Sequence, residues 1–345
     1  MKLGAHEQPL VFVKDVLSGT VQAEAVSPSA ADDCGRGHAC NFCPEETRCR
    51  LDKPAHNKNL IESRLSCLRS IVLVLANKGG VGKSTVSANL ATALAGKGFA
   101  VGLADADVHG PNAPRLFGLH EARVKVAANG IAPLRYELPK SRGNVSVGSL
   151  GFFLAENDTP VVWRDAYKHD YIHHMIGSFD WGPLDFLIVD MPPGTGNELI
   201  TLTDLLEDFN TSAVLVSSAD AVALQDTLKA SRFCTERGLP VIGLVENYAG
   251  TVCPHCGGEI ELFPRAPEIA AFEAAGVETL ARLPFAAVIA AAAAAGQPAA
   301  GLPDSPVTEW LAPLVAACAD RLRWQPKVDI RELSSSSKTA GLLRE

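Results

Sequence analysis

One glycine-rich stretch limits what this chain can fold into more than any other feature. Residues 77–85 read NKGGVGKST, between an apolar run at 71–76 and a segment of helical period that begins at Lys83. Strand, glycine loop and helix in that order form the phosphate-binding unit of a parallel α/β sheet. Gly79, Gly80 and Gly82 lack a Cβ, so successive backbone N–H groups, that of Val81 among them, can turn toward one anion at the positive end of a helix. On this pattern Lys83 pairs with the β- and γ-phosphates of ATP, Ser84 ligates Mg²⁺ and Thr85 completes the motif. The strict Walker A pattern opens on glycine; here Asn77 takes that place, and asparagine is among the few residues that tolerate a left-handed backbone.

From residue 71 onward the same alternation repeats, which predicts a doubly wound, mostly parallel α/β sheet. Strands are expected at 71–76, 100–104, 185–189, 212–216, 241–245 and 279–283. Helices are expected at 83–94, within 167–176, and at 197–208, 221–237 and 305–322. The six-alanine run at 290–295, ended by Gly296, reads as a helix with its C-cap. Residues 1–69 carry five of the nine cysteines and no long apolar periodicity, so they read as a small cysteine-rich metal- or cluster-binding module with a linker. Residues 70–325 form the ATPase domain, and 326–345 read as a disordered tail.

Two acidic motifs are expected beside the loop. The second strand ends in Asp105 and Asp107, of which Asp107 would orient a water and Asp105 would assist Mg²⁺. The strand at 185–189 runs into Asp190, a Walker B carboxylate placed to hold the same ion. The Pro-Pro-Gly-Thr-Gly turn at 192–196 would sense the γ-phosphate.

Charge and targeting narrow the partners. The chain has 31 Lys and Arg against 39 Asp and Glu, with no basic cluster, so neither nucleic acid nor an anionic membrane is an expected partner. The N-terminus lacks a continuous apolar core and no apolar stretch is long enough to span a bilayer, which points to the cytoplasm. There the cysteines are reduced, and their spacing suggests metal binding. Cys253 and Cys256 make a CxxC knuckle that presents two thiolates to one metal; two do not close a tetrahedral site, and a symmetric dimer supplies the rest. Cys34, Cys40, Cys43 and Cys49 form C-x5-C-x2-C-x5-C, a set able to fold around a [4Fe-4S] cluster or zinc, with His38 inside it as an alternative donor. Cys67, Cys234 and Cys318 read as buried small hydrophobes.

Residues 78–85 resemble the deviant Walker A loop of the MinD and ParA superfamily. Residues 105–119 (DADVHGPNAPRLFGL), 181–196 (WGPLDFLIVDMPPGTG), 245–257 (VENYAGTVCPHCG) and 282–285 (RLPF) resemble the Mrp-type iron–sulfur cluster carrier ATPases, over about residues 70–322. The resemblance implies a MinD-like P-loop fold and slow ATP hydrolysis. It implies a homodimer, or a heterodimer with a related ATPase, in which Lys78 reaches the partner's nucleotide, and it places Asn247 against the adenine. It also implies a [4Fe-4S] cluster bridged by Cys253 and Cys256 of two chains and passed to apo iron–sulfur proteins; zinc is the alternative metal. The N-terminal cysteines resemble those of eukaryotic cytosolic members and their archaeal and bacterial relatives, with a shorter first spacing. Asn197 replaces the usual acid after the turn, and Ser217-Ser218-Ala219-Asp220 replaces Thr-Thr-Pro-Gln. Two rivals carry other expectations. A ParA- or MinD-type positioning ATPase needs a basic surface or basic helix, and an electron donor like the nitrogenase iron protein needs bridging cysteines far apart in sequence.

Overall fold

Parallel strands buried on both faces read as continuous apolar runs, and β1 (LRSIVLVL) is such a strand at the centre of an eight-stranded sheet. The computed structural model describes residues 34, 37, 39, 40, 43, 48–127, 129–139, 143–154, 165–253 and 255–323. The strands are β1 (Leu68–Leu75), β2 (Val101–Asp105), β3 (Lys125–Ala127), β4 (Gly130–Ala132), β5 (Leu134–Glu137), β6 (Asn144–Ser149), β7 (Leu184–Asp190), β8 (Thr211–Ser218), β9 (Val241–Asn247), β10 (Thr251–Val252), β11 (Glu259–Ile260) and β12 (Thr279–Leu283). The α-helices are α1 (Lys53–Leu65), α2 (Lys83–Gly96), α3 (Ala113–Leu116), α4 (Asp165–Gly177), α5 (Asn197–Leu205), α6 (Ala221–Glu236), α7 (Glu268–Ala274), α8 (Ala287–Ala294), α9 (Pro306–Trp310) and α10 (Ala312–Arg321).

The sheet order is β12-β9-β8-β1-β7-β2-β6-β5, parallel throughout except for antiparallel β5 at one edge. Ile71, Leu73 and Leu75 of β1 join a core with Tyr171 and Met175 of α4 and Leu199 of α5. Val72 and Val74 point the other way, into a core with Val86 and Leu90 of α2 and Leu314 of α10. Helices on both faces and a phosphate loop at the carboxyl end of the central strand make the doubly wound fold expected from the sequence.

Four local expectations are corrected. The stretch assigned to a linker contains α1, capped by the Asp52 side chain on the Ala55 N–H and packed on α4 through buried Ile61 and Leu65. Its apolar stripe is too sparse to read by period, although Asp52 and Pro54 form a start signal. Strand β6 (NVSVGS) adds to the expected strands; its Gly148 leaves room for the rings of Trp181 and Phe179, which a Cβ would approach to 2.6 and 3.1 Å. The helix expected at 305–322 is broken into α9 and α10, because Pro313 lacks the N–H that a continuous helix needs there. Cys234 and Cys318 are buried as expected, whereas Cys67 is exposed in the turn between α1 and β1. The tail at 326–345 and His38 lie outside the described residues. No described helix is long and apolar enough to cross a membrane.

Candidate functional site

Residues 77–82 turn from the carboxyl end of β1 into α2, whose N-cap is Gly82. Gly80 (φ +82°) and Gly82 (φ +84°) adopt the left-handed backbone that glycine favours. A Cβ on Gly80 would meet nothing within 4 Å, so the inner face of the loop is open. A Cβ on Gly82 would stand 2.2 Å from Asn247 Nδ2, so steric room demands glycine there as well. The loop lines a cleft of about 530 Å³ that also takes in Lys78, Asp107, Arg115, Pro193 and Tyr248. That volume suits a nucleotide-sized ligand. Ser84 and Thr85 line it from the first turn of α2.

Pairing of β1 with β7, and of β7 with β2, sets Val74, Asp190 and Asp105 side by side at the carboxyl edge of the sheet. Lys83 Nζ lies 2.6 Å from Asp190 Oδ1, with the two side chains only 7% and 2% exposed. The Ser87 hydroxyl donates to the same oxygen at 2.9 Å. Asp105 is fully buried: Oδ2 accepts from the Ala113 N–H and the Ser149 hydroxyl, each at 3.0 Å, and Oδ1 accepts from the Asp107 N–H at 3.3 Å. Burial first, and then the Asp190 charge beside it, push the Asp105 carboxyl up to about 8. Asp107 reaches the cleft; its Oδ1 accepts from the N–H groups of His109 and Gly110 at 3.2 Å, and burial raises its pKa against the pull of Lys83. Of the two acids at the end of β2 and just beyond it, Asp107 therefore meets the cleft, while Asp105 anchors the loop into α3 from below.

Asn247 is buried under the loop, where its Nδ2 donates to Val81 O at 2.9 Å. Beside it Tyr248 holds a positive φ of 57°, packs its ring 5.8 Å from that of Phe285, and lines the cleft. Sequence reading missed Tyr248 and Arg115. Their only signal was adjacency to Asn247 and to the Asp107 loop, since a left-handed tyrosine leaves no mark in sequence. Lys78 is exposed at the rim. Despite partial burial, Asp220 is held below the usual carboxylate range by hydrogen bonds from Ser218 and the Ala223 N–H and by the Lys78 charge. The departure at 217–220 thus supplies an N-cap for α6. The 192–196 turn is tied to β1 by the Gly194 N–H on Ala76 O at 2.9 Å. Beyond it Glu198 pairs with Lys168 of α4 at 3.2 Å.

The two cysteine sets stand apart from the cleft. Cys253 and Cys256 occupy the tip of the β10–β11 hairpin, closed by the Cys253 N–H on Gly258 O (2.8 Å) and the Gly257 N–H on Cys253 O (2.9 Å). N–H groups of Cys256 and His255 aimed at Cys253, with the Cys256 thiol, hold its thiol below the ordinary range. Val252 and Ile260 on the hairpin strands, and Leu262 and Phe263 just after them in the chain, are exposed apolar side chains. The N-terminal four lie near one another: burial, and after it Cys49, Cys43 and Cys34, push the Cys40 thiol up to about 11. Among the described residues no three His, Cys, Asp or Glu side chains close around one metal-sized point.

Residues 67–319 match the family model described as ParA, NUBPL iron-transfer P-loop NTPase. An iron–sulfur cluster carrier protein of Methanocaldococcus jannaschii is 34% identical over 248 residues, covering 71% of this chain and 83% of that protein. A cytosolic Fe-S cluster assembly factor NUBP2 homolog of Dictyostelium discoideum is 40% identical over 215 residues, 62% of this chain and 80% of its own. Among solved structures, a nucleotide-binding protein of Archaeoglobus fulgidus in complex with ADP superposes with a TM-score of 0.59 at 30% identity, covering 72% of this chain and 94% of that one. The cell division ATPase MinD of Pyrococcus furiosus shares the fold with a TM-score of 0.50 at 22% identity, over 73% of this chain and 98% of its own.

Proposed function

This chain belongs to the ParA-type family of NUBPL iron-transfer P-loop NTPases, and from that premise we propose that it is an ATP-dependent carrier that builds an iron–sulfur cluster between two chains and delivers it to apo-proteins. The observation that carries the reading is the CxxC hairpin: two thiols at the tip of a hairpin whose strands expose Val252 and Ile260, and among the described residues no third donor to complete a site. Two such tips supply the Cys₄ set that a [4Fe-4S] cargo takes. The partner is a second copy or a related ATPase, and the setting is the cytoplasm.

At the nucleotide the chain's own groups divide the work. Loop N–H groups and Lys83 neutralise the phosphates, and Lys83 leaves Asp190 to do so. The freed Asp190 and the Ser84 hydroxyl hold Mg²⁺, with Asp105 behind them; the donor set of hydroxyl and carboxylate oxygens fits that ion. Bound Mg²⁺ offsets the charge that develops on the phosphates. Asp107 orients the attacking water, Lys78 crosses to the partner's nucleotide, and Tyr248 walls the cleft beside the base with Asn247 buried behind it. Cys34, Cys40, Cys43 and Cys49 bind a second metal group, a [4Fe-4S] cluster or zinc; their mutual repulsion as thiolates is what a cation relieves.

The test is iron, sulfide and zinc per chain after anaerobic reconstitution, on the full-length protein and on Cys253→Ala/Cys256→Ala. A loss in the variant of about two iron and two sulfide per chain, together with loss of transfer to an apo-acceptor, supports the reading. Zinc at near-unit stoichiometry without sulfide overturns it.

A further inference from the structure

The C-x5-C-x2-C-x5-C spacing leaves the N-terminal thiols with no protein anchor, yet the structure supplies one from α1. His56 is 4% exposed. Its two ring nitrogens face two different sulfurs: Nε2 lies 3.5 Å from Cys34 Sγ and Nδ1 lies 3.3 Å from Cys40 Sγ. Both separations suit nitrogen–sulfur hydrogen bonds: the neutral imidazole donates its N–H to one sulfur and accepts the S–H proton of the other at its second nitrogen. A histidine buried only for packing pairs its nitrogens with whatever oxygens lie at hand; here each nitrogen meets a cysteine of the one motif.

The backbone around Cys40 is pinned as well. The Cys40 N–H donates to Asn57 Oδ1 at 2.7 Å, and the Ala39 N–H donates to Ser178 Oγ at 2.8 Å, just past the end of α4. Ser178 Oγ in turn lies 2.7 Å from His174 Nδ1. α1 is itself fixed on α4 through Ile61 and Leu65. His56 therefore projects from a helix docked on α4 onto Cys34 and Cys40.

We propose that His56 is a positioning residue of a metal site formed by the N-terminal cysteines: it fixes the sulfurs of Cys34 and Cys40 from α1, so that retention of a thiophilic metal there depends on the ATPase fold. The inference rests on the reading of Cys34, Cys40, Cys43 and Cys49 as metal ligands. Side chains that hydrogen-bond to metal ligands typically change metal affinity by 10–100-fold when removed. His38, the donor that the sequence offered, lies outside the described residues; His56 stands 22 and 16 residues along the chain from the sulfurs it meets.

The test is anaerobic Co²⁺ titration of the full-length chain carrying Cys253→Ala/Cys256→Ala, read by the thiolate-to-cobalt charge-transfer band and by competition with a chelator. In that background His56→Ala is expected to weaken Co²⁺ binding by about 10–100-fold and to shift the band. His56→Asn, too short to span both sulfurs, is expected to lose as much, and it decides the matter if the melting curve shows that the alanine variant does not fold. Affinity within twofold of the parent and an unmoved band in a folded variant overturn the proposal alone. A parent with no charge-transfer band overturns the metal-site reading, and the proposal with it.

Discussion

Replacing Lys83 by Met tests the central ion pair of the cleft through stability, before any nucleotide chemistry. Lys83 and Asp190 are both almost wholly buried, and their 2.6 Å contact is the one cation–carboxylate pair beneath the loop among the described residues. Without Lys83 the Asp190 carboxylate keeps only the Ser87 hydroxyl as a side-chain donor, with Asp105 next to it in the sheet. Removing one partner of such a buried pair costs about 3–5 kcal/mol, because the remaining charge is desolvated and uncompensated. For a domain near 250 residues that is a fall in melting midpoint of roughly 6–20 °C. In Lys83→Met/Asp190→Asn the uncompensated charge is gone, and the double variant is expected to recover more than half of the loss. The assay is urea unfolding of the nucleotide-free protein as a double-mutant cycle. A Lys83→Met loss below about 1 kcal/mol, or additive single and double variants, refutes the argument; it would mean that water already reaches Asp190.

Asp105 carries the main pH dependence of the site. Its folded pKa near 8 lies above the ordinary value of about 4, so the folded state holds the proton more tightly and stability falls as pH rises through that window, by at most about 1.4 kcal/mol per unit. Asp105→Asn should flatten that slope in urea midpoints taken at pH 5, 6.5 and 8; a slope equal to the parent's excludes Asp105 as its source. The two left-handed glycines separate strain from collision. Gly80→Ala, facing open space, should cost about 1–2 kcal/mol of backbone strain. Gly82→Ala should add the loss of the Asn247–Val81 hydrogen bond, about 1–3 kcal/mol more, and equal losses in chemical denaturation would contradict the placement of Asn247. Under native conditions at pH 7, iodoacetamide should modify Cys253 faster than an unperturbed thiol. It should spare Cys234 and Cys318, whose thiols burial pushes up to about 12; mass-spectrometric labelling of either buried thiol at the Cys253 rate would count against their burial.

Much of the molecule is determined locally and was legible for that reason. The strand–loop–helix around residues 77–85, the apolar runs of the parallel strands and the CxxC tip each depend on residue types at short spacing, and each stands where the sequence placed it. Where local order was weak, the pattern was too faint to read: α1 has too sparse a stripe, and β6 has only two valines among small and polar residues, with Gly148 against two aromatic rings. The division of labour among the acids was decided by the fold alone. Asp105 and Asp107 differ by two positions, yet the strand ends between them, so one carboxylate faces the interior with three donors and the other faces the cleft. Asn247 is 166 residues from the carbonyl it braces, and His56 meets its two sulfurs only because α1 docks on α4. Spacing along a chain specifies which chemistry is present; burial, register and the meeting of distant segments specify which atoms face one another, and those are properties of the packed structure.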